Sequence, residues 1–265
     1  MSVQAVFDEA RAQERAVLIG YLPVGFPSVP ESIAAMRTMV TAGVDIVEVG
    51  VPYSDPVIDG PTIAEAADRA LAGGSRVDDV FTAVEAVAGA GAAAMVMSYW
   101  NLVERRGVAE FARRLSYSGG AGLITPDLLP EEADEWIAVS DERALDRVFL
   151  VAPSSTEARL ALTAKACRGF VYAASVMGVT GARSEVSDAA PEIVKRTRAV
   201  TSLPIGVGLG VSNGEQAANV ARYADGVIVG SALVRCLLDA KDPDSGRQAM
   251  HELVVDLAKG VRSGR

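Results

Sequence analysis

The sequence predicts an α/β fold: a single (β/α)8 barrel of the TIM type with an extra N-terminal helix, one domain over residues 1–265. Three observations predict it. Short apolar runs that read as strands alternate with amphipathic helical runs along the whole chain, which implies βαβ units and a parallel sheet. Eight such strands can be counted. The length of 265 residues suits one closed barrel of that many units. A doubly wound open sheet is the second fold considered. It usually carries a G-x-G-x-x-G turn after its first strand, and the run GYLPVGFP from Gly20 does not fit that pattern.

The elements follow in order. A helix over 3–14 opens the chain, and VLIGYLP (17–23) is the first strand. A helix over 31–42 leads to the second strand, 45–52, where period-2 alternation puts Val47, Val49 and Val51 on one face and Ile46, Glu48 and Gly50 on the other. A helix over 77–88 precedes the third strand, 93–100. The low-polarity run 86–99 is too short for a membrane span and contains glycines, so it reads as a helix end, a turn and a strand. A helix over 108–115 and a strand over 122–127 come next, then a helix over 130–139 and a strand over 147–153. A helix over 157–166 leads to the sixth strand, 169–175. The irregular segment VMGVTGARSEV (176–186) suits either a mobile lid or an ordinary long loop. A helix over 191–200, a strand over 204–211, a helix over 214–223 and a strand over 226–231 complete the alternation. A helix-like stretch (232–238) and a closing helix (248–261) end the chain.

Half of the residues are hydrophobic, so a sizeable core is available. The formal net charge of -9 argues against nucleic acid and anionic membranes as partners. An anionic substrate would need local donors, such as backbone N–H groups. The two cysteines, Cys167 and Cys236, lie far apart in helical patterns and suit a reducing cytosol. The opening MSVQAVFDEARAQER lacks the apolar core of a signal peptide. The expected location is cytoplasmic.

The stretch from Glu48 to Thr62, EVGVPYSDPVIDGPT, places two carboxylates, Glu48 and Asp59, at a strand end and in the loop after it. A lone acid inside an apolar strand is costly unless its face is polar or wet, as at the mouth of a parallel barrel. A buried ion pair or a turn cap is the other reading. The one histidine, His251, lies in the last helix, away from every strand end, which disfavours a His-based metal site or general base. No metal is expected. Lys165, Lys195, Lys241 and Lys259 all fall in helices or loops, which disfavours Schiff-base chemistry. What remains at strand ends is Glu48, Asp59, Asp127, Tyr21, Tyr99 and Tyr172, and the chemistry left to them is acid–base work by carboxylates. Asp127 also reads as a cap for the helix beginning near Pro130, and Tyr172 also reads as barrel filling between Phe170 and Ala174. Met95, Met97, Trp100 and Trp136 read as packing. Three glycine clusters follow strands six to eight: Gly178 to Gly181, Gly206 to Gly210, and Gly230-Ser231. Barrels often bind phosphate with loops after their last strands and a helix N-terminus.

These motifs resemble those of the tryptophan synthase alpha chain family. EVGVPYSDPVIDGPTI, FVYAASVMGVTGA, GVGLGVS and ADGVIVGSALV occur in the family's order, and the resemblance covers nearly the whole chain. Two departures stand near the expected indole pocket. Val57-Ile58 takes the place of the usual Leu-Ala, and Tyr21 stands where Phe is common. Neither removes a catalytic group.

The resemblance implies cleavage of indole-3-glycerol phosphate to indole and glyceraldehyde 3-phosphate. Glu48 would protonate indole C3 and take the proton of the adjacent hydroxyl. Asp59 would stay ionised and accept the indole N–H, and Tyr172 would orient the reacting end. Gly181, Gly210, Gly230 and Ser231 would hold the phosphate. Tyr21, Tyr99, Asp127 and Thr180 would line the pocket, with Thr180 bonding Asp59 when the lid closes. The family works with a beta chain in an α2β2 assembly. Pyridoxal phosphate belongs to that partner, so no cofactor is expected here. The loop of Pro52, Tyr53, Ser54, Asp55 and Pro56 is the expected contact. Three rivals remain at this point: a stand-alone lyase of the same chemistry, another phosphate-binding barrel such as a sugar-phosphate isomerase, and a non-catalytic subunit that only activates a partner.

Overall fold

In chain order, the elements begin with helix α1 (Val3–Ala12), strand β1 (Val17–Pro23), α2 (Val29–Ala42) and β2 (Ile46–Gly50). Next come α3 (Pro61–Ala72), α4 (Asp79–Gly89), β3 (Ala93–Met97), α5 (Trp100–Arg106), α6 (Val108–Tyr117) and β4 (Gly122–Thr125). A 3-10 turn at Pro130–Glu132 precedes α7 (Asp134–Glu142), β5 (Asp146–Val151), α8 (Glu157–Ala166) and β6 (Val171–Ala174). The chain ends with α9 (Ala189–Arg198), β7 (Ile205–Gly208), α10 (Gly214–Ala221), β8 (Gly226–Val229), α11 (Ser231–Leu238) and α12 (Pro243–Ser263). The structure is a computed structural model and describes residues 2–174 and 189–264.

The strands close into a barrel in the order β1-β2-β3-β4-β5-β6-β7-β8, all parallel, with β8 returning to β1 through the pairs Val17↔Gly226 to Gly20↔Val229. Alternation along each strand then sorts residues into a shell and a lumen. Val47 and Val49 of β2 join Val96, Leu123, Val171, Val207 and Val227 in the layer packed against the helices. Ile46, Met95, Ile124, Val148, Phe170 and Ile228 turn inward. Helix α1 plugs the lower end of the lumen. Its Val3, Val6, Phe7 and Ala10 pack into the inward cluster, and the Phe7 and Phe170 rings meet at 5.8 Å.

Local chemistry fixes several helix starts. The side chains of Ser28, Thr156, Asn213 and Asp242 accept from the backbone N–H groups of Glu31, Arg159, Gln216 and Ser245, capping α2, α8, α10 and α12. Four sequence expectations need correction. The third strand stops at Met97 and Trp100 opens α5, because the chain must turn over the barrel rim there. Residues 61–72 form α3, a helix the sequence reading passed over although its pattern is amphipathic. Its buried face is Ile63 with Ala66, Ala67 and Ala70. The helix read over 130–139 is a 3-10 turn followed by α7, and the last helix begins at Pro243 rather than near 248. Among the described residues, no helix is long and apolar enough to cross a membrane.

Candidate active site

The site is built on the C-terminal end of β2. Alternation turns Glu48 into the lumen, where it is only 1% exposed, two residues above the Ile46 layer. Neither of its carboxyl oxygens has a hydrogen-bond partner among the described residues. Burial without a counter-charge disfavours the ionised form and pushes its pKa to about 8. The ion-pair reading of this acid is therefore set aside.

Asp59 arrives from the loop between β2 and α3. Burial pushes its pKa to about 6, against a lowering pull from the Tyr99 hydroxyl. Tyr99 sits just before α5 and organises this loop. Its hydroxyl accepts from Val57 N–H at 3.0 Å and Ile58 N–H at 3.1 Å, and donates to Asp59 Oδ1 across a long 3.4 Å. A phenol has one proton and two lone pairs, so the two accepted bonds leave its proton for Asp59.

Two tyrosines flank these acids. Tyr21 pairs with Glu48 across the β1–β2 ladder, and its ring leans over Gly50. Tyr172 pairs with Gly206 across the β6–β7 ladder and leans over Gly208, where an added Cβ would lie 2.6 Å from its hydroxyl. Burial raises the pKa of both phenols well above the usual value, and Glu48 and Asp59 raise it further. Gly206 and Gly208 are thus small to admit the Phe170 and Tyr172 side chains, a steric role within what the sequence presents as one phosphate-type cluster.

Glu48, Asp59, Tyr21 and Tyr172 line one cavity of about 720 Å³. At its far side stand Gly210, Gly230 and Ser231. Gly210 has φ of 73°, a left-handed conformation that favours glycine, and Gly230-Ser231 forms the N-terminus of α11. Among the described lining residues the one cation is Arg159, and both oxygens of Glu131 hold it, at 2.6 and 2.7 Å. An anion at Gly210 to Ser231 therefore meets backbone donors and a helix end rather than a free basic side chain. Ile58, Ile63, Met97, Leu128 and Leu209 supply apolar wall.

The chain matches the profile of the tryptophan synthase alpha chain family over residues 7–262. It belongs to that family. The tryptophan synthase alpha chain of Salinispora tropica is 60% identical over 261 residues, 98% of either chain. That of Mycobacterium tuberculosis is 61% identical over 259 residues, 98% of this chain and 94% of the relative. Among solved structures, Mycobacterium tuberculosis tryptophan synthase superposes with a TM-score of 0.93 at 60% identity, over 98% of each chain. The alpha subunit from Legionella pneumophila gives 0.87 at 30% identity, again over 98% of each. As a member of the tryptophan synthase alpha chain family, the protein is a carbon–carbon lyase of tryptophan biosynthesis that cleaves indole-3-glycerol phosphate.

The family's expected site residues fall in three groups here. Glu48, Asp59, Tyr172, Tyr21, Gly210, Gly230 and Ser231 converge on the cavity. Gly181 and Thr180, with the segment 176–186 read as a lid, lie outside the described residues. Asp127 is a correction. Its two carboxylate oxygens accept from Trp100 N–H at 2.9 and 3.1 Å, so it caps α5 from the β4 loop and does not line the cavity. Tyr99 also stands behind the wall rather than in it, holding the loop of Asp59 and stacking on Tyr53 at 4.9 Å.

On the outer side of the same loop, Tyr53 is half-buried and accepts from Asn101 Nδ2 at 2.9 Å, while Asp55 is exposed beside Ser54. Pro52, grouped with them as a partner contact, is buried within the chain. Val57 and Ile58, the first departure from the family pattern, both line the cavity, Val57 at its open edge where it is 80% exposed. The sequence reading missed the walls at Met97, Leu128 and Leu209. Met97 had a signal. It is inward by alternation and pairs with Gly50, so it stands level with the reacting end.

Proposed function

We propose that Glu48 performs both proton transfers of the lyase reaction, with Asp59 as the fixed negative charge beside the indole ring. The observation that carries this reading is a buried carboxyl facing the cavity, neither of whose oxygens has a partner among the described residues. With a pKa of about 8, Glu48 enters the reaction neutral near pH 7 and acts first as an acid, delivering its proton to indole C3. Asp59, with a pKa of about 6, is by then mostly ionised. It accepts the indole N–H and balances the positive charge of the indolenine. The Glu48 carboxylate so produced then takes the proton of the hydroxyl on the adjacent glycerol carbon. The bond from C3 to that carbon breaks, its electron pair returns to the ring, and indole and the aldehyde part. Two carboxyls pushed to different pKa values by different surroundings divide the acid and charge-balancing tasks. Tyr172 orients the reacting end, and Gly210, Gly230 and Ser231, with Gly181, hold the phosphate.

The whole chain works as a single domain. It pairs with a tryptophan synthase beta chain in an α2β2 assembly, and the loop carrying Tyr53 and Asp55 is the contact. Pyridoxal phosphate serves the partner's reaction, and the acid–base sequence above asks for no cofactor. Two cysteines without a disulfide fit a cytoplasmic location.

The test is indole release from indole-3-glycerol phosphate across pH, with and without a beta chain. Turnover should follow a bell with limbs near pH 6 and 8, since activity needs Asp59 ionised and Glu48 protonated. The beta chain should raise the rate. A rate that keeps climbing above pH 8 would reverse the order of the two proton transfers, and no release of indole under any condition would end the reading.

A further inference from the structure

The cavity has two fixed ends for a substrate of this kind, the α11 N-terminus at Gly230-Ser231 and the carboxyl of Glu48. Tyr21 spans the gap between them. β1 lies between β8 and β2 in the barrel, so Tyr21 borders both ends. A Cβ built on Gly230 would lie 3.5 Å from Tyr21 Cβ and Cδ1, whereas one built on Gly50 would collide with the Tyr21 hydroxyl. The ring therefore runs from the phosphate end toward β2 with its hydroxyl at the Gly50 end. Gly50 is two residues beyond Glu48 on the same inward face. The hydroxyl thus lies one side-chain level above the Glu48 carboxyl, on the side from which the loop of Asp59 covers the site.

This phenol is more than nine-tenths buried, at 8% exposure, and it lines the cavity. Among the described residues its hydroxyl has no hydrogen-bond partner. The hydroxyl itself opens onto the cavity, so water is its partner when the site is empty, and phenylalanine would fill the same wall without it. The feature makes physical sense if a ligand supplies the acceptor.

We propose that Tyr21 is a further catalytic residue of the lyase reaction. Its hydroxyl donates a hydrogen bond to the oxygen on the glycerol carbon bonded to indole C3, the oxygen that becomes the aldehyde. This rests on the role given above to Glu48. As the carbon–carbon bond breaks, that oxygen loses its proton to the Glu48 carboxylate and gains carbonyl character. Partial negative charge on it in the transition state is met by the Tyr21 donor. Tyr21 keeps its own proton throughout, so the balance of the reaction is unchanged. The interaction strengthens in the transition state and so acts on kcat more than on binding.

The experiment compares the native protein with Tyr21→Phe, which keeps the ring and its packing. Steady-state cleavage is measured beside the affinity for indol-3-ylpropyl phosphate, which has the indole and the phosphate but neither hydroxyl. The variant should lose about 10- to 100-fold in kcat, at or below the lower limit of about 100-fold for removing one oxyanion-hole donor, because Glu48 already faces the same oxygen. It should bind the deoxy analogue within about twofold of the native protein, since that ligand offers no acceptor. A kcat within about threefold of native, or an equal loss of affinity for the analogue, overturns the proposal. Glu48→Gln in the same assay separates the two readings. If it is inactive while Tyr21→Phe is fully active, only the Tyr21 role falls, and if Glu48→Gln is active, the reading beneath it falls.

Discussion

Asp45 and Glu48 are three residues apart, one just before strand β2 and the other at its centre, and the barrel treats them in opposite ways. Asp45 stands at the lower rim. Its oxygens take Arg15 Nη1 at 2.8 Å and Nη2 at 2.9 Å, and Oδ2 also accepts from Leu18 N–H at 2.8 Å. Glu48 stands in the upper lumen, where neither oxygen has a partner among the described residues, and its pKa is about 8. One acid has every need met within the chain and ties α1 and β1 to β2. The other is left unsatisfied beside an open cavity. The lesson is that the lower face is built for stability and the upper face holds unmet chemistry in readiness for a ligand, the usual polarity of such barrels.

The largest expected effect comes from neutralising the unsatisfied acid. Glu48→Gln should lower kcat by more than about 10³-fold, because one group serves both proton transfers and a single acid–base role is typically worth about 10²–10⁴. The same variant should also alter stability, with a definite sign. The folded state holds the Glu48 proton up to about pH 8, whereas the unfolded chain releases it near 4.5. Between those values the folded state binds more protons, so this group makes stability fall as pH rises. The Tm of Glu48→Gln should therefore gain on that of the native protein across that window. Parallel Tm curves would place Glu48 in a solvated setting and break the contrast with Asp45.

Removing the satisfied acid should do the reverse. Asp45→Ala leaves the Arg15 guanidinium, in a side chain only 9% exposed, without its partner. Stripping one member of a buried pair costs about 3–5 kcal/mol, and the partial exposure of Asp45 argues for about 3. Urea unfolding should show that loss while kcat per folded molecule stays native. A loss below about 1 kcal/mol, or a fall in kcat of the folded protein, would blur the division between the two faces.

The smallest effect sharpens the upper face alone. Tyr99→Phe removes the acceptor for Val57 and Ile58 and the donor for Asp59. The expected loss in kcat/KM is roughly tenfold, about one hydrogen bond to a charged group. Tyr99 lowers the pKa of Asp59, so its removal should move the acid limb of the pH–rate curve upward. A limb that stays in place would leave Tyr99 as a loop anchor with no hold on the charge.

The sequence by itself determined the barrel and the direction Glu48 faces. Both are consequences of local periods: 2 along a strand and 3.6 along a helix are written in consecutive residues. Tertiary structure alone decided which groups meet. Whether Glu48 finds a cation depends on parts of the chain far away in sequence, and none of the described residues brings one to it. Asp127 caps α5 across 27 residues instead of the turn beside it, because the β3 and β4 loops converge on the same rim. Tyr99 reaches 40 residues back to Asp59 for the same reason. Closing the ring also brings β8 beside β1, so Gly230 comes to border Tyr21. Contacts of that kind have no period, so nothing in the neighbouring residues announces them.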